Sequence, residues 1–336
     1  MNNHTSSLDS SHFPVMLNEI IKISTPARGG TFIDCTFGGG GYSKKLLTFS
    51  KTIVKGLDRD DKVKKIGNEL EKNFPNRFKF YQKTFSQLDN VTNSLVDVVI
   101  FDLGLSSIQL NDFKRGFSFK SNENLDMSMG LNNISAQDVI NKLSELELKL
   151  IIKIFGEEKE AARIAKNIVK FRSEKKIIKV QDLVEIIEKS KKKNYTSKIN
   201  PCTKTFQALR IFVNKEITEL INGIINATKF LKPGGKILVV SFHSIEDKIV
   251  KYFFSNFSTN KSKPSRYLPN QDISSFALFN EYKNKVIKPT NKEIEKNNRS
   301  RSAKLRYAIR SKNKFSYPHE LIKRFNSYLD LEGINV

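Results

Sequence analysis

The sequence predicts an α/β fold, a parallel sheet with crossover helices that is interrupted by an inserted helical domain. β-prone runs alternate with amphipathic runs from Thr31 to Asp102, the order that builds a parallel sheet. The most apolar of them, Val96-Asp97-Val98-Val99-Ile100-Phe101, is followed by no convincing buried strand until Lys236-Ile237-Leu238-Val239-Val240-Ser241-Phe242. A simple crossover needs only about 30 residues, so the gap holds something more. Within the gap, apolar residues recur at three- and four-residue spacing, the helical period.

Thr31 to Thr36 is the first strand, and it runs into Gly38-Gly39-Gly40-Gly41. Tyr42 to Phe49 then predicts a helix, Thr52 to Leu57 a second strand stopped by Asp58-Arg59-Asp60, and Asp61 to Asn73 a charged amphipathic helix. Arg77 to Gln82 is a weaker third strand and Val96 to Phe101 the fourth. Asp138 to Lys193 is helical in pattern through Ile151, Ile154, Ile164 and Ile168, then Leu183, Ile186 and Ile187. It ends in the basic run Lys191-Lys192-Lys193, whose alternatives are a substrate surface and a solvated face. A helix from Thr205 to Asn222 resumes the first domain. Lys232-Pro233-Gly234-Gly235 announces the strand at Lys236, Ser255 to Ser300 reads as a long loop with little core of its own, and Ser302 to Arg310 as a last strand.

The chain has 336 residues, enough for one or two domains, and its 38% hydrophobic content suits a globular protein. A formal net charge of +23 points to a polyanionic partner, because Lys and Arg displace counterions condensed on phosphates; compositional drift towards lysine is the alternative. Two cysteines, Cys35 and Cys202, and four scattered histidines draw no zinc cluster, so no metal is expected. The start, Met1 to Ser11, lacks the apolar core of a signal peptide, and no run approaches the roughly 20 apolar residues of a membrane span. A soluble cytoplasmic protein is expected.

Strand, glycines and helix make a cofactor loop, since glycine lets backbone approach a ligand closely. Asp58, at the tip of the second strand, can accept hydrogen bonds from both hydroxyls of a ribose, which suits NAD and S-adenosylmethionine equally. Asp34, inside the first strand, favours the cationic methyl donor over a pyrophosphate. The loop Asp102-Leu103-Gly104-Leu105-Ser106-Ser107-Ile108-Gln109 follows the fourth strand, where open sheets bind ligands. It has the acid typical of amino-group methyltransferases but not the two prolines and aromatic of the adenine-N6 enzymes.

Taken with these, further motifs carry a family resemblance. They are His12-Phe13-Pro14-Val15-Met16-Leu17, Arg115-Gly116-Phe117-Ser118-Phe119, Leu125-Asp126-Met127 and Thr205-Phe206-Gln207-Ala208-Leu209-Arg210-Ile211, then Ser241-Phe242-His243-Ser244-Ile245-Glu246-Asp247 and Arg299 to Arg306. The chain resembles the bacterial RsmH, or MraW, family of small-subunit ribosomal RNA cytosine-N4 methyltransferases from about His12 to Arg310. The resemblance implies a class I (Rossmann-like) methyltransferase sheet interrupted by an inserted helical domain. Residues 1–110 and 205–336 would bind S-adenosylmethionine, and 111–204 would form the substrate-recognition insert. It implies methylation of a cytidine in the decoding region of 16S rRNA within the small ribosomal subunit, with no membrane partner and with oligomeric state open between monomer and homodimer. By motif, the donor site would use Gly40, Gly41, Tyr42, Asp58, Phe85, Asp102 and Gln109. Tyr42 departs from the family's usual His, so its backbone N–H is carried over and its side chain is not. Phe85 is either a platform for adenine or a core residue.

The N4 amine of cytosine is a poor nucleophile because its lone pair is delocalised into the ring. Asp102 and the carbonyls of Leu103 and Gly104 are the expected acceptors for its protons, and Asp102 is the expected catalytic residue. His12, His243, Lys191, Lys192 and Lys193 are substrate-side candidates, with a structural role as the alternative for the histidines. Cytosine-C5 chemistry would need a nucleophilic cysteine. Pro201-Cys202 offers one only superficially, and Cys35 reads as core.

Overall fold

The computed structural model describes residues 14–131, 134–191, 200–260 and 277–336. His12, Lys192 and Lys193 lie outside them. The described chain forms two compact units. The first holds residues up to Asp58, then Lys62–Gly104 and Asn226–Ser316; the second holds Arg59–Asp61, Leu105–Ile225 and Tyr317–Val336.

The first unit is built on six strands: β1 (Gly30–Asp34), β2 (Thr52–Asp58), β3 (Phe78–Gln82), β4 (Val96–Asp102), β5 (Leu231–Ser241) and β6 (Lys304–Ile309). Their order is β3-β2-β1-β4-β5-β6. All neighbours are parallel except β5 and β6, which run antiparallel. β4 forms because Val98, Val99, Ile100 and Phe101 are buried on both faces, each at 3% exposure or less. Each contributes about 1.5–3 kcal/mol, and a near-continuous apolar run is what a doubly covered parallel strand requires. β2 runs two residues past the end of β1: Asp34 lies opposite Gly56, and Asp58 lies opposite Gln82 of β3. The polar strand ends therefore collect along one edge.

The first unit departs from the sequence expectation in two places. The turn at Lys232–Gly235 is drawn into β5, with a register shift against β4 between Val96 and Val98. Asp97 steadies it by accepting from the Lys232 ammonium at 2.8 Å and the Thr31 N–H at 2.8 Å. The stretch after Ser255 also has more core than expected. Phe279 meets Phe253 and Phe254 edge-on at 5.2 and 5.3 Å, and Tyr282 packs on Phe254 at 5.6 Å.

The second unit is helical. Helices at Ala136–Lys142, Glu145–Phe155, Ala161–Glu174 and Val180–Ser190 bury the predicted apolar stripe, with Ile151, Ile164, Ile168, Leu183 and Ile187 all at 0% exposure. Ser135 and Ser144 cap the first two by accepting the N–H of Asp138 and Glu147, whose carboxylates accept from the serines in return. The helix expected at Thr205 to Asn222 is two helices, Thr203–Asn214 and Glu216–Phe230, broken by Lys215 in the left-handed conformation. Thr203–Asn214 packs against Glu145–Phe155 inside this unit. A C-terminal helix, His319–Glu332, joins it: buried Glu332 accepts from the N–H groups of Ile217 and Thr218 at 2.9 and 2.7 Å. The longest segment of the unit runs from Leu105 to Ile225, where the sequence placed an insert at 111–204.

Candidate active site

The carboxyl ends of β1, β2 and β4 place three aspartates in the first unit. Asp34 closes β1 and is fully buried. Its carboxylate accepts from the Ser43 hydroxyl at 2.8 Å, and burial pushes its pKa up to about 6 against the pull of that bond. Asp58 closes β2 half-buried, and its Oδ2 accepts the Gly38 N–H at 2.7 Å. The carboxylate expected to hold a ribose therefore also braces the glycine loop.

The loop is tight for steric reasons. Gly40 sits at φ +75° with the Phe37 ring beneath it, and a Cβ there would lie 2.8 Å from that ring. Phe37 is in turn fixed between Phe78 and Phe80 at 5.6 and 5.3 Å. At Gly41 a Cβ would lie 2.8 Å from Pro14. Side chains are excluded at both positions because the Phe37 and Pro14 rings already fill the space.

Asp102 ends β4. Its N–H donates to the Thr36 hydroxyl at 2.7 Å, while its Oδ1 is buried and has no hydrogen-bond partner among the described residues. Burial raises its pKa to about 8. Asp34, Glu246 and Glu293 add negative potential in the same direction, and only the Tyr42 hydroxyl opposes them. Tyr42 is itself buried, donates its hydroxyl proton to the Val15 carbonyl, and is pushed well above the ordinary tyrosine range by burial and by Asp102. Phe85 stands half-buried, edge-on to Phe101 at 5.5 Å. The arrangement suits a cation: two buried carboxyls held above their ordinary range, one with an unsatisfied oxygen.

Comparison with known proteins gives the family. The MraW methylase family matches residues 9–311. The chain belongs to the MraW methylase family. Relatives include a protein of Ehrlichia canis, 43% identical over 304 residues, covering 89% of this chain and 99% of its own. A Bartonella henselae protein is 43% identical over 300 residues, covering 89% and 86%, and one of Brucella ovis is 38% identical over 318 residues, covering 93% and 91%. All three carry the name ribosomal RNA small subunit methyltransferase H.

Gly40, Gly41, Tyr42, Asp58, Phe85 and Asp102 all lie in the first unit. Gln109 falls in the second unit with both ends of its side chain engaged. Its Oε1 accepts the Ser106 N–H at 3.0 Å and its Nε2 donates to Asp60 at 2.9 Å. His243 caps the helix Ser244–Asn256. Its Nδ1 faces the Glu246 N–H at 3.5 Å, and its Nε2 stands 3.1 Å from the Glu246 carboxylate without the angle of a hydrogen bond. Lys191 is not a solvated cation. Its ammonium meets Glu158 at 2.5 Å with both side chains 4% exposed, so the first lysine of the basic run is committed to the protein. Cys35 and Cys202 are buried, and burial drives the Cys202 thiol up to about 12.

Several residues of the site escaped the sequence reading. Thr36 and Ser43 hold Asp102 and Asp34, and both flank the glycines, where a hydroxyl beside a carboxylate was a usable signal. Glu293 reaches the site from 277 residues beyond Met16, and no local pattern marks it. Apart from that site, in the second unit, Asp60 pairs with Arg115, both buried, and Arg115 also donates to the Ser128 carbonyl at 3.0 Å.

Proposed function

We propose that this methylase transfers the methyl group of S-adenosylmethionine to the exocyclic N4 amine of one cytidine in the decoding region of 16S rRNA within the small ribosomal subunit. The relatives' shared name supports small-subunit ribosomal RNA as the substrate, and the charge of +23 suits it. Asp102 carries the chemical reading. It combines a partnerless buried oxygen with a pKa of about 8, and the acidic neighbours acting on it all raise that pKa. A cationic donor would offset the negative potential that Asp34, Glu246 and Glu293 put on Asp102.

When bound, the donor supplies a methyl already activated by its sulfonium charge, so the chemistry calls for neither a metal nor a covalent intermediate. Asp58 serves the ribose, Phe85 the adenine, and the backbone of Gly40, Gly41 and Tyr42 the donor's amino-acid end. Asp102, with the carbonyls of Leu103 and Gly104, accepts hydrogen bonds from the N4 protons and turns the amine's lone pair towards carbon. Positioning of this kind supplies most of the acceleration. The cytidine reaches the site splayed from its stack. Gln109 serves by capping the loop that follows Asp102. We assign donor binding to the first unit and RNA recognition to the second, which contains most of the 111–204 insert. Lys192, Lys193, His12 and His243 stand on the substrate side in this reading, and Lys191 anchors the basic run. No helix among the described residues is long and apolar enough to cross a membrane, and a ribosomal substrate places the work in the cytoplasm.

Transfer of labelled methyl from S-adenosylmethionine to isolated small subunits, followed by nucleoside mass spectrometry, tests the reading. N4-methylcytidine is expected, and Cys202→Ser leaves it unchanged because a buried thiol near pKa 12 offers no thiolate. Recovery of 5-methylcytidine, or of no labelled nucleoside, overturns it.

A further inference from the structure

Tyr42 has a side-chain arrangement that donor binding through its backbone does not explain. Its ring is 3% exposed, and its single hydroxyl proton goes to the Val15 carbonyl. Residues 14–16 are held at both ends of that contact. Pro14 lies against Gly41, where a Cβ would be 2.8 Å from its ring. The Met16 N–H donates to Glu293 Oε1 at 2.7 Å, with Met16 in the left-handed region at φ 54°. The Val15 carbonyl therefore stands where Glu293 puts it. On its other side the phenol oxygen faces the Asp102 carboxyl. A phenol has one proton to give. While that proton is on Val15, the oxygen can accept from a protonated Asp102; when Asp102 ionises, the same proton can turn to the carboxylate.

We propose that Tyr42 and Glu293 are positioning residues for methyl transfer: Glu293 fixes the Val15 carbonyl through the Met16 N–H, and the Tyr42 hydroxyl, held on that carbonyl beside Asp102, sets how Asp102 meets the target amine. The inference rests on the reading of Asp102 as the group that receives the amine's protons. The ionisable groups acting on Asp102 are Asp34, Tyr42, Glu246 and Glu293. Among these, the Tyr42 hydroxyl favours the carboxylate, whereas the Glu293 charge opposes it. Removing them should therefore move Asp102 in opposite directions, which loosened packing alone would not do.

The test is the pH profile of kcat/KM for subunit methylation at saturating donor, compared among wild type, Tyr42→Phe, Glu293→Gln and Asp102→Asn. Tyr42→Phe deletes one oxygen, and Glu293→Gln keeps an acceptor for the Met16 N–H while losing the charge. The acidic limb is expected to move to higher pH in Tyr42→Phe and to lower pH in Glu293→Gln. Limbs that shift the same way, or a limb unmoved in either variant, overturn the proposal. Proton uptake and release on donor binding, followed by calorimetry, reads the same opposite shifts without turnover and covers a variant too slow to assay. Asp102→Asn separates the two readings. It is expected to lose on the order of 10²-fold in rate together with the limb. If it keeps both, the failure lies with the role given to Asp102.

Discussion

Binding a cation beside Asp34 and Asp102 has a measurable cost in protons. At pH 7 a carboxyl with a pKa of about 8 is about nine-tenths protonated, and one with a pKa of about 6 about one-tenth. If a sulfonium draws both into the ionised form, the donor-free protein releases about one proton as it binds. Release should approach two protons below pH 6 and fall away above pH 9. Calorimetry of S-adenosylmethionine binding in buffers of different ionisation enthalpy measures this number directly. S-adenosylhomocysteine, which keeps the amino acid and loses the sulfonium charge, should release fewer. Linkage gives a second sign. Both folded pKa values lie above the unfolded value, so the stability these carboxyls contribute is complete below about pH 4 and is lost as pH rises through about 6 for Asp34 and about 8 for Asp102. Donor-free protein should therefore lose stability from about pH 4 to about pH 8 and level off above it, and saturating donor should blunt that loss. A donor that binds at pH 7 with no proton exchanged would refute the reasoning, because the two carboxyls would then sit in no cation site.

Three other perturbations have defined outcomes. Asp58→Ala should weaken donor binding by roughly 1.5–3 kcal/mol for each charged hydrogen bond lost, and unchanged affinity in a folded variant removes Asp58 from the donor site. Asp60→Ala leaves the Arg115 guanidinium buried without its carboxylate, with side chains 1% and 10% exposed in the pair. It should cost about 3–5 kcal/mol in urea unfolding, while joint replacement by apolar residues of similar volume should recover most of that. A loss below about 1 kcal/mol would mean that water reaches the pair. Lys192 and Lys193 changed to Glu should flatten the salt dependence of subunit binding and spare donor affinity; an unaltered slope makes them a solvated face.

Much of the first unit was legible locally. A strand such as Val96–Asp102 announces itself because burial on both faces demands an uninterrupted apolar run, and the glycines after β1 because no side chain fits over Phe37 and against Pro14. The helices from Ala136 to Ser190 were legible for the same reason, since their buried positions repeat at the helical period. The residues that close β1, β2 and β4 were found from their place at strand ends, which sequence order supplies.

Contacts distant in the chain were not legible in this way. Arg115 and Asp60 are 55 residues apart, Lys191 and Glu158 33, and Glu293 and Met16 277. A lysine in a basic run looks the same whether water or a carboxylate receives it, and only the fold made Lys191 a buried partner of Glu158. The break at Lys215 is of the same kind. Asn214 is buried and spends its side chain on Met127, Met129 and Arg210, which stops one helix where the periodicity alone would continue it. Sequence by itself determined the sheet's strands, the glycine loop and the acids at the strand ends, because each follows from a residue's immediate neighbours and its period. Tertiary structure decided which charges are sealed, which carboxyl keeps a proton near neutral pH and which hydroxyl faces it, because desolvation and pairing depend on groups that only folding brings together.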